Sequence, residues 1–436
     1  MIFQGFVELI ISDIKLILVT NNKVLFNRQN IFMGNNEAIT ILCVSSYEKG
    51  HDFMRECKEQ GCKVLLLTSK SLERAPWPKD VIDEIFYMPD KNKEWNMRDV
   101  IYGVSFLARK EKIDRIVALD DFDVEKAAAL REHLRLPGMG DTTARYFRDK
   151  LAMRMRAKEM GIPVPEFIHV LNHNEINDFA ERVSFPYMIK ARMLAGAHGL
   201  KKVQNKEEMW KKINQLADEQ SFYLMEKFVP GKIYHADSII YENDVRFAIS
   251  SQYGKPPFEV AHEGRVFTSR TMERGSKKEQ ELLEMNEKLL KALGLLRGVS
   301  HTEFIESEED GKLYFLETSA RVGGANLAEL VLAASGINLW REWAKIEILR
   351  GEKEYQYPEV QNYYAGIITS LAKQEWPDLS AYDDPEIFWQ LDKPYHAGFV
   401  LRSKHYNVIG DLLEKYTQRF YQDFFISAPM KDRPSD

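Results

Sequence analysis

Cysteine is scarce: the 436 residues hold three, Cys43, Cys57 and Cys62. An odd number with no C-x-x-C spacing excludes a disulfide framework and a thiolate zinc site, and it suits a reducing cytoplasm. An excess of one charge is also missing. The 60 basic and 66 acidic residues leave a formal charge of −6, and no long basic run tracks a phosphate backbone, so nucleic acid is not an expected partner. No apolar run reaches membrane length. The most apolar N-terminal stretch, Phe6 to Val19, is interrupted by Glu8, Asp13 and Lys15 and lacks a basic leader, so neither a span nor a targeting segment is expected. A glycine-rich turn after the first clear strand is lacking too. Between Ser45 and Asp52 there is only Gly50, which disfavours NAD. Residues 1–36 precede a clearer domain start at Ala38, and an added strand, a loose extension and an artefact of start-codon choice all stay open.

What is present is length and alternation. With 44% hydrophobic residues, a chain of 436 buries more than one core, since single domains usually hold roughly 100 to 200 residues. From Ala38, Ile39 to Val44, Asp52 to Glu59 and Lys63 to Leu67 read as β-α-β. Ile85 to Met88, Asn96 to Arg109, Arg115 to Leu119 and Val124 to His133 continue the pattern. The first lobe, 37–135, is therefore expected to be an open α/β sheet with its ligand edge near Ser45, Thr68 and Asp120. After the break at Leu136 to Gly140, Thr142 to Met160 reads as one helix. An α+β body follows to residue 348, with a β-rich run at Tyr234 to Tyr241, a helix near Lys277 to Leu293 and a hairpin from His301 to Glu317. Residues 349–436 read as a small appended domain ending in a helix.

The hairpin carries the chemistry. A three-residue turn at Glu309-Asp310-Gly311 places Glu303 opposite Glu317 and Phe304 opposite Leu316, with Ile305 and Phe315 on the carboxylate face. Cross-strand neighbours have Cβ atoms about 4.5 to 5.5 Å apart, so two carboxylates there repel unless a cation lies between them. Alternation puts Ser319 and Arg321 on the same face. Hard oxygen ligands suit magnesium or manganese rather than zinc. A solvated sheet face is the alternative, and the pairing alone does not decide.

These residues resemble the ATP-grasp superfamily, in its carboxylate-amine ligase and biotin-carboxylase-like branches, with the first lobe similar to the preATP-grasp domain. The resemblance implies metal binding by Glu303 and Glu317, with Ser319 in the place of the family's Asn, and a phosphate contact by Arg321. Asp149-Lys150 and the strand ending at Lys190 match the two phosphate-binding lysines, and Gly196 and Gly199 fall in the flexible phosphate loop. Met225 to Gly231 resembles the adenine hinge, where Glu226 and the backbones of Lys227 and Val229 would read the base; Ile233 stands where many relatives carry a ribose-binding glutamate.

The implied activity is that of an ATP- and magnesium-dependent ligase joining a small-molecule carboxylate to an amine through an acyl phosphate. The resemblance also allows a homodimer. Tyr253, His262 and Arg265 are acceptor-pocket candidates by neighbourhood, with a structural role the commoner fate of each. Two rivals stand beside this reading: a biotin-carboxylase-like enzyme acting on bicarbonate, and a nucleotide-binding regulatory module without turnover.

Overall fold

The structure, a computed structural model, describes residues 38–194, 199–263, 265–349 and 351–426. The expectations for residues 1–36 and for Gly196 lie outside the described residues. The first lobe comprises β1 (Thr40–Ser45), α1 (His51–Glu59), β2 (Lys63–Ser69), β3 (Glu84–Met88), α2 (Met97–Leu107), β4 (Arg115–Ala118) and α3 (Val124–Leu134). TILCVS and KVLLLTS are nearly unbroken apolar runs, as strands covered on both faces require. The sheet is parallel, in the order β3-β2-β1-β4. Strand order reverses between β1 and β4, and ligand groups collect at the carboxyl ends of strands flanking such a point. Just past β4, the Asp120 carboxylate accepts from the Phe122 N–H at 3.0 Å and starts a single 3-10 turn over Asp121–Asp123.

The stretch expected as one helix is two, α4 (Asp141–Arg145) and α5 (Lys150–Glu159). Asp149 causes the break. Its backbone is extended (φ −89°, ψ 106°), and its carboxylate accepts from Leu151 N at 3.0 Å and Ala152 N at 3.5 Å, an N-cap that starts a new helix with Lys150 as its first residue.

A small antiparallel sheet, in the order β5-β8-β6-β7, is built from β5 (Phe167–His169), β6 (Tyr187–Ala191), β7 (Leu200–Val203) and β8 (Tyr223–Lys227). The helices α6 (His173–Arg182) and α7 (Lys206–Gln215) cover it through Ile176, Phe179, Met209 and Ile213.

The rest of the chain forms β9 (Gly231–Tyr241), β10 (Asp244–Tyr253), α8 (Pro257–Glu263), β11 (Phe267–Thr271), α9 (Lys277–Leu293), β12 (Arg297–Ser307), β13 (Leu313–Ser319), α10 (Leu327–Ser335), α11 (Leu339–Leu349), β14 (Tyr364–Leu371), β15 (Ile387–Gln390), β16 (His396–Ser403) and α12 (Tyr406–Asp423). Its eight-stranded sheet runs β13-β12-β9-β10-β11-β14-β16-β15. The C-terminal segment therefore does not fold apart from the body: β14 pairs with β11 and lengthens the same sheet. The helix α12 lies close on it, since a Cβ on Gly366 would stand 2.6 Å from Ile409 and 2.8 Å from Leu413. Among the described residues, no helix is long and apolar enough to cross a membrane.

The hairpin of β12 and β13 keeps the expected pairing of Glu303 with Glu317 by a different route. The turn is one residue longer than expected: Ser307 N donates to Lys312 O at 2.9 Å, and Gly311 N donates back to Ser307 O at 2.8 Å. That shift alone would slip the register, and a one-residue slip sends side chains to the opposite face. A bulge at Leu316 takes up the extra residue. Phe304 consequently faces Phe315, not Leu316, and both are fully buried in the core beneath α9, so Phe315 is not on the carboxylate face.

Candidate active site

A cavity of about 340 Å³ is lined by β6 and β8 with Met188, Lys190 and Glu226, by Val229 just after β8, by β12 and β13 with Glu303 and Glu317, and by Asp121 of the first lobe. Lys150, Lys227, Ile233, Ser319 and Arg321 line it too. Of the candidate residues, Gly199 is not among them. It occupies a left-handed turn (φ 70°) at the start of β7, where a side chain would press on Leu194 and Ala191.

Charge is arranged in pairs along the floor. Lys150 Nζ lies 2.9 Å from Glu317 Oε2 and 2.5 Å from the Leu194 carbonyl. Burial alone would raise the pKa of Glu317, but Lys150 and then Lys190 hold it below the ordinary carboxylate value. Lys190 Nζ is 2.5 Å from Glu226 Oε1, and Arg154 Nε donates to Glu226 Oε2 at 3.0 Å. The glutamate expected to read a base edge is thus first a buried counter-ion. Beyond it, Lys227 N donates to Glu166 O and Phe228 N to Pro186 O, whereas among the described residues the Val229 N–H makes no backbone bond.

The other carboxylate, Glu303, is held by groups that no motif indicated. Tyr253 donates its hydroxyl to Glu303 Oε1 at 2.9 Å and lies 3.3 Å from His301 Nε2. The opposite ring nitrogen of His301 is 2.9 Å from Asp237, which also bonds His235 at 2.8 Å. Burial would lower the His301 pKa, yet Asp237 lifts it to about 9. Among the described residues, His235, Asp237 and His301 are the one cluster with metal-ligand spacing. They bond one another instead, and Gly323 packs so closely that a Cβ there would stand 3.0 Å from Asp237 and 3.1 Å from His301. Strand periodicity could have signalled this network, because residues 235, 237, 301 and 303 alternate onto one face.

Arg321 does not stand free for phosphate. Its Nε donates to Asp121 Oδ2 at 2.7 Å, Nη2 binds the same oxygen, and Nη1 bonds the Val322 carbonyl at 2.8 Å. Of the acceptor-pocket candidates, Tyr253 is within the cavity, Arg265 is exposed and outside its lining, and the side chain of His262 lies outside the described residues.

The donor set fits a hard divalent cation. Two carboxylates face each other with a hydroxyl beside them, and the three cysteines are buried in a core shared by the first lobe and the body and do not line the cavity. The space also fits a nucleotide, with apolar walls at Met188, Phe228, Val229, Ile233 and Leu316 next to the cations Lys150 and Lys190.

Residues 155–327 match the family model of the ATP-grasp domain. The chain thus carries an ATP-grasp domain. Over 331 residues it is 23% identical to the L-arginine-specific L-amino acid ligase of Bacillus subtilis, covering 71% of this chain and 79% of that one. The D-alanine–D-alanine ligase of Pseudomonas entomophila is 24% identical over 307 residues, which are 68% of this chain and 94% of the relative. The solved L-amino acid ligase of Bacillus licheniformis superposes with a TM-score of 0.70 over 90% of this chain and 99% of its own, at 17% identity, a likeness of fold. This ATP-grasp protein is accordingly an ADP-forming carbon–nitrogen ligase of the carboxylate-amine branch.

Proposed function

We propose that the protein uses ATP to activate an amino acid's carboxylate as an acyl phosphate and joins it to the amine of a second amino acid. The observation that carries this reading is the cross-strand pair Glu303 and Glu317, set in one cavity with Lys150, Lys190 and Arg321. The named ligases among its relatives support amino acids as the substrate class.

In this reading the adenine ring lies between Met188, Val229, Ile233 and Leu316, with the Val229 N–H offered to the base edge and Lys150 and Lys190 offsetting phosphate charge. Glu303, Glu317 and Ser319 would hold magnesium, which supplies Lewis-acid stabilisation of the transferred phosphoryl group. A carboxylate oxygen attacks the γ-phosphorus, the bond to the β-phosphate oxygen breaks, and ADP leaves. Phosphoryl transfer needs positioning and charge stabilisation more than a protein nucleophile, which suits a site of fixed cations. The deprotonated amine then attacks the acyl carbon, the bond to the phosphate oxygen breaks, and phosphate leaves as the amide forms. Arg321 would neutralise the phosphate in this reading, which requires its guanidinium to turn from Asp121.

The test is ADP and phosphate release by the purified chain with Mg-ATP across amino acids, dipeptides and simple acids, with bicarbonate as a separate arm. Release that needs one acid and rises with one amine supports the reading. Stimulation by bicarbonate alone would overturn it.

A further inference from the structure

One carboxylate in the cavity belongs to no motif. Asp121 is contributed by the first lobe, just after β4, and is 3% exposed. Its Oδ2 is taken by the guanidinium of Arg321, but Oδ1 is buried with no hydrogen-bond partner. An ionised carboxylate is acceptor-only, and a buried acceptor left unpaired is unfavourable. The Arg321 guanidinium holds the other oxygen, the Ser319 hydroxyl is a hydrogen-bonding neighbour of the carboxylate, and Asp121, Glu317 and Ser319 line one cavity.

Ser319 lies on the same floor. A lone hydroxyl is a poor ligand for a hard cation, since it is neutral, short and weakly polarised. A free carboxylate oxygen close to that hydroxyl is the stronger ligand for a hard cation.

We propose that Asp121 completes the metal site, its unpartnered Oδ1 supplying the oxygen ligand for a second divalent cation that Ser319 alone holds poorly. The proposal rests on the Mg-nucleotide reading of this cavity. It makes the first lobe a part of the metal site, so that binding of the second cation ties that lobe to the grasp body.

The test needs no turnover. Manganese is titrated into the full chain with a non-hydrolysable ATP analogue, and free Mn²⁺ is read from its electron paramagnetic resonance signal. The wild type is expected to bind two ions. Asp121→Asn should keep one and weaken the other by about tenfold or more, the scale of losing a metal-site oxygen partner. Ser319→Asn combined with Asp121→Asn should restore most of that loss, because the two residues serve one ion. An equal loss with and without Ser319→Asn would make Asp121 a structural strut and overturn the proposal. Unchanged manganese binding by Asp121→Asn with a raised KM for the amine would make it a substrate anchor, again overturning it.

Should Asp121→Asn not fold, Ser319→Asn alone decides, since it spares the ion pair between the lobes. Little change in second-site affinity supports the proposal, and a gain of about tenfold or more overturns it. A wild type that binds nucleotide with one ion overturns the proposal alone. A wild type that binds no metal-nucleotide overturns the reading of the cavity itself.

Discussion

Glu226 Oε1 lies 2.5 Å from Lys190 Nζ while its Oε2 accepts from Arg154 Nε at 3.0 Å, so one buried carboxylate clamps β6, β8 and α5 together. Arg154 is fully buried and also bonds the Leu316 carbonyl at the hairpin bulge. The clamp thereby connects the small sheet, which carries Lys190, to the strand that carries Glu317.

Removing one member of a buried pair leaves the other charge under-compensated, at a cost of roughly 3–5 kcal/mol. Because Lys190 stays in place, Arg154→Met is expected at the low end, about 3 kcal/mol. Urea unfolding measures it, and a loss below about 1 kcal/mol would show that Lys190 compensates Glu226 unaided.

Glu317→Gln keeps shape and removes charge from the floor of the cavity. Magnesium-dependent ADP release should fall by at least about 100-fold while the circular dichroism spectrum is retained. Undiminished turnover by the purified variant would sink the metal assignment.

Tyr253→Phe keeps the ring packed against His235 and Phe267 but withdraws the donor from Glu303. Groups that orient a metal ligand typically contribute about 10- to 100-fold in metal affinity. The magnesium concentration giving half-maximal ADP release should rise accordingly, with little change in thermal midpoint. An unaltered magnesium dependence would mean that Glu303 needs no support from the phenol.

The His301 imidazole has a folded pKa lifted from 6.5 to about 9, with burial opposing the shift and Asp237 producing it. The folded chain therefore holds a proton that the unfolded chain releases between these values. The stability this contributes is complete below pH 6.5 and is lost as pH rises through 9, with a slope of up to about 1.4 kcal/mol per pH unit. Urea unfolding across that window should show the slope in the wild type and lose it in His301→Gln. Equal slopes in both would indicate a neutral imidazole in the folded chain.

The hairpin shows how a sequence reading can reach the right pairing through a wrong path. Gly311 did mark the left-handed turn position, with φ 69°. The extra turn residue and the compensating bulge at Leu316 have no local signature, because β12 is held on its other side by β9 and its register answers to both neighbours. Likewise, the break before Lys150 was written in Asp149, a good capping residue, but helical periodicity on either side concealed it.

Local chemistry was legible without the structure: the α/β alternation of the first lobe and the opposed glutamates follow from periodicity and turn residues, and the two lysines from the family resemblance. Packing between distant segments was not. Asp121 and Arg321 lie 200 positions apart, Tyr253 and Glu303 are 50 apart, and β14 finds β11 across two intervening strands and three helices. Side-chain periodicity records which face of an element is apolar, whereas the partner it meets is selected by the shape and charge of surfaces that exist only once the chain has folded. Sequence alone thus pointed to the kind of site, and tertiary structure decided which distant segments line the cavity.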